Sequence, residues 1–171
     1  MALWEEVVYN VYEVGRSGKL NNYKNMLIGE YIHTIDEKNR VSLPAKFRKE
    51  MGKSVVIAPA PDNCLFVFTM KEWSKVSSRL TDNEHELSFL KADKRNFNRF
   101  MLGRASDVEV DSIGRILVPD FLKERIGLKG KAALVGVGDR VEIWNDKAWE
   151  AYKKDSEKMA GALAEKLGDK E

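Results

Sequence analysis

The sequence predicts an α+β fold built from one unit used twice, and three observations carry that expectation. The stretch DEKNRVSLPAKFRKEMG (36–52) lies over DSIGRILVPDFLKERIG (111–127). Asp36 falls on Asp111, Arg40 on Arg115, Pro44 on Pro119 and Gly52 on Gly127, while Val41, Leu43, Phe47 and Met51 fall on Ile116, Val118, Leu122 and Ile126. A second block follows in the same order: LFVFTMKEW (65–73) matches VEIWNDKAW (141–149), with Phe68 on Trp144 and Trp73 on Trp149. Within each copy, alternating strand-like runs surround a short helical one. A chain of 171 residues with 43% apolar and 33% charged residues can pack one such domain with an appendage.

Residues 1–25 stand apart. Asn10 to Asn25 holds Gly15, Ser17, Gly18, Asn21 and Asn22 without helical or strand periodicity, and reads as a leader, tag or mis-assigned start outside the fold. Leu3, Trp4, Val7, Val8, Val11 and Tyr12 keep a short docking helix open there. The first repeat is placed at 26–80, a bridging helix at 81–102, the second repeat at 103–150, and a C-terminal helix and tail at 151–171. Alternation through Ile28, Glu30 and Ile32, and through Val108 and Val110, predicts a strand ending at Asp36 or Asp111. A tight turn and a return strand starting at Arg40 or Arg115 come next. Pro44 and Pro119 suit the first turn of a helix, and Gly52 and Gly127 the residue past its end. SVVIAPA with CLFVF, and KAALVGV with RVEIW, read as strand pairs joined at Pro61-Asp62-Asn63 and Gly138-Asp139. Thr69 with Glu72 forms a capping box for a closing helix, and Asn145 caps its counterpart. Thr81 with Glu84 forms another box, opening the bridging helix. Trp149, Tyr152, Met159, Leu163 and Leu167 mark the last helix, which frays from Gly168.

Composition narrows the function. Lys plus Arg number 29 against 27 Asp plus Glu, a net charge of +2 that excludes a polybasic protein and leaves room for local basic patches. The one cysteine, Cys64, excludes an internal disulfide framework and reads as a small buried residue. His33 and His85 have no partner at ligand or catalytic spacing. No apolar run approaches the roughly 20 residues that span a bilayer, and Glu5 and Glu6 stand where an export signal would be basic. A cytoplasmic protein is expected, with no membrane, metal, cofactor or small-molecule substrate. No carboxylate pair or nucleophile–base pair marks an enzyme. Gly136-Val-Gly-Asp139 lacks the spacing of a phosphate loop and reads as a hairpin turn.

The chemistry lies in the repeated Asp-x-x-x-Arg. The carboxylate of Asp36 or Asp111 can accept N–H groups of its own turn. The fourth position, Asn39 or Gly114, calls for a positive φ, which Gly adopts freely and Asn tolerates. Arg40 or Arg115 then leaves the turn, either folding back on the Asp to pin it or pointing outwards. The surroundings differ. Lys38, Arg40, Lys46, Arg48, Lys49 and Lys53 outnumber Asp36, Glu37 and Glu50 in the first copy, whereas Arg115, Lys123 and Arg125 balance Asp111, Asp120 and Glu124 in the second. A basic hairpin suits phosphate positioning, with an Arg reading base edges. Lys91, Lys94, Arg95, Arg99 and Arg104 on and after the bridging helix fit either a DNA contact or a solvated face, and Phe89, Leu90, Phe97, Phe100 and Met101 there fit packing.

DEKNRVSLP and DSIGRILVP, the GRAS segment (103–106) and the Trp-spaced strand pairs together resemble the MraZ family, over about Met26 to Tyr152. That resemblance implies a bacterial transcriptional regulator of two SpoVT-AbrB-type repeats, folded as a duplicated swapped-hairpin β-barrel with flanking helices and an internal pseudo-twofold. It further implies rings of subunits on double-stranded DNA, at tandem promoter repeats upstream of a division and cell-wall gene cluster, hence association with the nucleoid. The family's main DNA contact lands on Arg40, with Lys38, Asn39 and Lys46 beside it. Asp36, Asp111, Gly114 and Arg115 form the structural part of the motif. Asn39 stands where the family often has Gly.

Two functions remain. One is a DNA-binding regulator using the first hairpin; the other is a ring-forming scaffold or antitoxin-like protein-binding module in which both Arg residues are structural. Near-neutral charge favours a closed homo-oligomer for the first, because few phosphates are neutralised per subunit and linked subunits multiply affinity.

Overall fold

Each copy of the repeat builds four strands and a short helix in the same order. The computed structural model describes residues 26–81 and 90–168. The first copy runs β1 (Leu27–Thr34), β2 (Arg40–Ser42), α1 (Ala45–Met51), β3 (Ser54–Pro59), β4 (Cys64–Thr69) and α2 (Met70–Thr81). After α3 (Ala92–Met101) the second runs β5 (Ser106–Glu109), β6 (Arg115–Leu117), α4 (Asp120–Arg125), β7 (Lys131–Gly138), β8 (Val141–Asn145) and α5 (Asp146–Gly168). The 1–25 segment expected to be a leader, and the Glu84 and His85 positions, lie outside the described residues.

The two copies exchange strands. β1 pairs with β7 of the other copy, β5 pairs with β3 of the first, and β4 meets β8 between them, all antiparallel. The sheet order β1-β7-β8-β4-β3-β5 reads the same backwards once each strand is replaced by its repeat partner, so the duplication is built into the topology. The expected closed barrel is not formed. The six-stranded sheet ends at β1 and β5, and β2 and β6 make a separate two-stranded ribbon. The ribbon strands are three residues long and bond to each other, reached from the sheet through the single bridges Ile35↔Val41 and Val110↔Ile116.

The matched apolar positions explain the arrangement. Val41, Leu43, Phe47 and Met51 and their partners Ile116, Val118, Leu122 and Ile126 are all buried in one cluster beneath the ribbon. Tyr31 stands edge-on to Phe47 at 5.1 Å between ring centroids, a favourable aromatic geometry. The repeated Trp also has one role in both copies: Trp73 packs on Phe68 at 5.8 Å and Trp149 on Trp144 at 5.5 Å. The thiol of Cys64 is fully buried, and burial pushes its pKa up, away from nucleophilic reactivity.

Local signals held with shifts of register. Pro44 and Pro119 occupy the N-cap positions of α1 and α4, one residue before the first turn, and Gly52 closes α1 with φ 75°. The hydroxyl of Thr69 accepts the Glu72 N–H at 3.1 Å, and Asn145 accepts that of Lys147 at 3.1 Å. Thr81 departs from expectation: it lies within α2 rather than capping a new helix, and its hydroxyl donates back to the Ser77 carbonyl at 2.9 Å. On α3 Met101 is buried and Phe97, though exposed, packs on Phe100 at 6.3 Å; Leu90 just before the helix is exposed, and Phe89 lies outside the described residues. Leu27–Trp149 forms one compact unit carrying both copies; Met26 and α5 from Glu150 onward fall in a second unit.

Candidate nucleic-acid interface

Both Asp-x-x-x-Arg turns are built alike. Asp36 Oδ1 accepts the N–H groups of Lys38 and Arg40, each at 2.9 Å, and Asp111 Oδ1 accepts those of Ile113 at 3.1 Å and Arg115 at 2.8 Å. Asn39 (φ 58°) and Gly114 (φ 82°) take the left-handed conformation that this closure requires. The two turns also interlock: Leu43 N–H donates to the Gly114 carbonyl at 2.9 Å, and Val118 N–H donates to the Asn39 carbonyl at 2.8 Å.

The ribbon sets which way the arginines face. Val41 and Ile116 are buried, so by strand alternation Arg40, Ser42, Arg115 and Leu117 lie on its outer face, with Arg40 opposite Leu117 and Ser42 opposite Arg115. Each Arg folds back on its own carboxylate. Arg40 Nε and Nη2 lie 2.8 and 2.7 Å from Asp36 Oδ2, and Arg115 Nε lies 2.7 Å from Asp111 Oδ2. Arg115 Nη1 also stands 3.7 Å from Asp36, so Arg115 is shared between two carboxylates while Arg40 holds one. The Arg40 side chain is 31% exposed and that of Arg115 25%. Asp36 is held below the usual carboxylate pKa chiefly by the Arg40 side chain, then by the Arg40 N–H. For Asp111 the Arg115 N–H is the leading cause and its guanidinium comes after.

The other expected residues separate. Lys38 at the turn and Lys46 on α1 are exposed. Asn39 is engaged instead by the second copy: its Nδ2 donates to Asp120 Oδ1, and Lys123 Nζ donates to its Oδ1 at 2.6 Å. Sequence reasoning missed Asp120 and Lys123, although the repeat alignment already places Ala45 and Arg48 at their equivalents. Arg48 covers Gly114, where an added Cβ would overlap its guanidinium, and its Nε donates to the Leu43 carbonyl at 2.7 Å. A second contrast was equally visible: Lys38, Ser42 and Lys46 correspond to Ile113, Leu117 and Phe121, which are 57%, 50% and 50% exposed. On the bridging segment Lys91, Arg95, Arg99 and Arg104 are exposed, and Phe100 lies under Arg125 at 5.3 Å. Gly136 to Asp139 lies at the β7–β8 hairpin, closed by Val137 N–H to the Arg140 carbonyl at 3.1 Å. Among the described residues no three His, Cys, Asp or Glu side chains gather as a metal site would need, and no helix is long and apolar enough to cross a membrane.

Fold and site thus define a class: a duplicated α+β protein that exchanges strands between its halves and carries paired Asp–Arg turns on one ribbon. A family described as "MraZ protein, putative antitoxin-like" matches twice, at residues 26–100 and 101–169. The chain belongs to the MraZ family. It is 43% identical over 142 residues to the transcriptional regulator MraZ of Caldanaerobacter subterraneus subsp. tengcongensis, covering 83% of this chain and 96% of that one. Against the protein of the same name from Moorella thermoacetica it is 44% identical over 144 residues, covering 84% and 98%. For that from Acetivibrio thermocellus the identity is 41% over 142 residues, covering 83% and 96%.

Proposed function

We propose that this chain is a sequence-specific DNA-binding transcriptional regulator, a cytoplasmic repressor at the nucleoid. It acts as a closed ring of subunits on tandem repeats in the promoter of a division and cell-wall gene cluster. The names of its relatives support regulation of transcription. The observation that carries DNA binding is the asymmetry of the ribbon turns: equal backbones, with exposed Lys38 and Lys46 beside Arg40 and apolar side chains at their equivalents. Lys38 and Lys46 contact phosphates, and Arg40 swings off Asp36 to a base edge. The Arg40–Asp36 pair is only partly buried, and a bidentate base contact made beside the phosphates replaces the fold-back. Asn39 takes part by shaping the turn. Exposed Ile113, Leu117 and Phe121 suit burial against another subunit.

The second reading, a ring-forming scaffold or antitoxin-like protein-binding module, draws on the fold-back of both arginines. Fluorescence anisotropy with the protein's own promoter DNA at two salt concentrations separates the two. A regulator binds the promoter above unrelated DNA and weakens with salt, by about 0.9 in log–log slope per phosphate neutralised. No preference for the promoter at either salt concentration favours the scaffold.

A further inference from the structure

We propose that Asp120 and Lys123, from the second repeat, are positioning residues for the DNA-reading turn of the first. This rests on the DNA-binding reading above and deepens it. Asn39 is the only non-glycine with positive φ among the described residues, a conformation that most side chains avoid and Asn tolerates. The second repeat holds it at three points. Asp120 Oδ1 accepts its amide N–H, Lys123 Nζ donates to its amide oxygen at 2.6 Å, and Val118 N–H donates to its carbonyl at 2.8 Å. Arg40 is the next residue, so the backbone that aims its guanidinium is set from the opposite repeat.

The brace occurs once. At the pseudo-equivalent corner Gly114 has no side chain, Ala45 has no side-chain acceptor, and Arg48 turns to the Leu43 carbonyl. Gly114 adopts its positive φ freely and needs no brace, whereas Asn39 carries a side chain through the same conformation. The brace stands at the turn flanked by exposed lysines. Placing a carboxylate beside a DNA-binding turn also opposes binding electrostatically, which a positioning role accounts for and a phosphate-contact role does not.

The test measures promoter-DNA affinity by anisotropy for the full chain, well below its melting temperature and with assembly state checked by light scattering. Asp120→Ala is expected to weaken binding about five-fold, the weight of roughly one net hydrogen bond. Asp120→Asn, which keeps an acceptor, restores it. In an Asn39→Gly background, where the turn needs no side-chain brace, Asp120→Ala has no further effect. Lys123→Ala follows the same pattern. Unchanged or tighter binding in Asp120→Ala overturns the proposal, as does an equal loss in the Asn39→Gly background. A Lys123→Ala loss that persists there with a flatter salt slope makes Lys123 a phosphate contact and also overturns it. Arg40→Ala separates this failure from that of the DNA reading. Loss at Arg40 with none at Asp120 removes only the brace; a folded Arg40→Ala that binds like wild type removes the DNA reading and the brace with it.

Discussion

The turns at 36–40 and 111–115 share one backbone and present different surfaces. Both close an Asp carboxylate over two N–H groups, both pass through a left-handed residue, and both fold an Arg back on the Asp. What differs is carried by side chains that closure does not need. Position three is Lys38 or Ile113, the outer strand residue Ser42 or Leu117, and the exposed helix position Lys46 or Phe121. Duplication therefore fixed the scaffold twice, with exposed lysines on one copy and exposed apolar side chains on the other. The arginines differ with them, since Arg115 reaches two carboxylates and Arg40 one.

The largest effect expected from this contrast is at Arg40. Arg40→Ala should stay folded, its melting temperature lowered only by the lost pair with Asp36, and lose roughly 1–3 kcal/mol per specific contact, repeated at every engaged subunit, so that binding to tandem repeats nearly vanishes. Arg115→Ala should instead lower the melting temperature, with DNA binding following only as far as folding does. Titration and thermal denaturation of the same preparations check both. Next, Leu117→Ser with Phe121→Ser should shift the assembly to smaller species on light scattering, each buried side chain being worth about 1.5–3 kcal/mol. Ser42→Ala with Lys46→Ala should not change the mass.

A smaller effect separates the fourth turn positions. Gly114→Ala forces a Cβ into a left-handed residue and into Arg48, and should destabilise by about 1–2 kcal/mol in urea unfolding. Asn39→Gly should leave the unfolding midpoint close to wild type. The smallest effect is in pH. Both aspartates are held below their ordinary value of 3.8, so they add stability above it that is lost as pH falls through their folded values. The melting temperature should therefore decline below about pH 4. Arg40→Ala should relieve the depression at Asp36 more than Arg115→Ala does at Asp111, read by carboxyl NMR titration.

The repeat, the positive φ at Asn39 and Gly114, and the burial of Val41, Phe47, Ile116 and Leu122 were legible because each follows from residue type and local spacing. Strand exchange was not legible from alternation, which tells which face is buried and leaves open which strand lies beside it. The resemblance supplied the exchange and overstated its closure, because β2 and β6 pair with each other as a ribbon separate from the larger sheet. Thr81 misled because a Thr three residues before a Glu fits a cap and a position within a helix equally; its hydroxyl bonds back to Ser77. The brace on Asn39 spans 81 residues and leaves no local signal beyond the mismatch of Asp120 and Lys123 with Ala45 and Arg48.

Cross-linking to promoter DNA from a photoreactive residue placed at position 38, and in a separate protein at position 113, tests the asymmetry most directly. The two sites are equivalent in the repeat, lie in the same kind of turn and are both exposed. Strong cross-linking from 38 that salt suppresses, with little from 113, is the predicted result. Equal yields from both positions, or a yield from 113 alone, would contradict it.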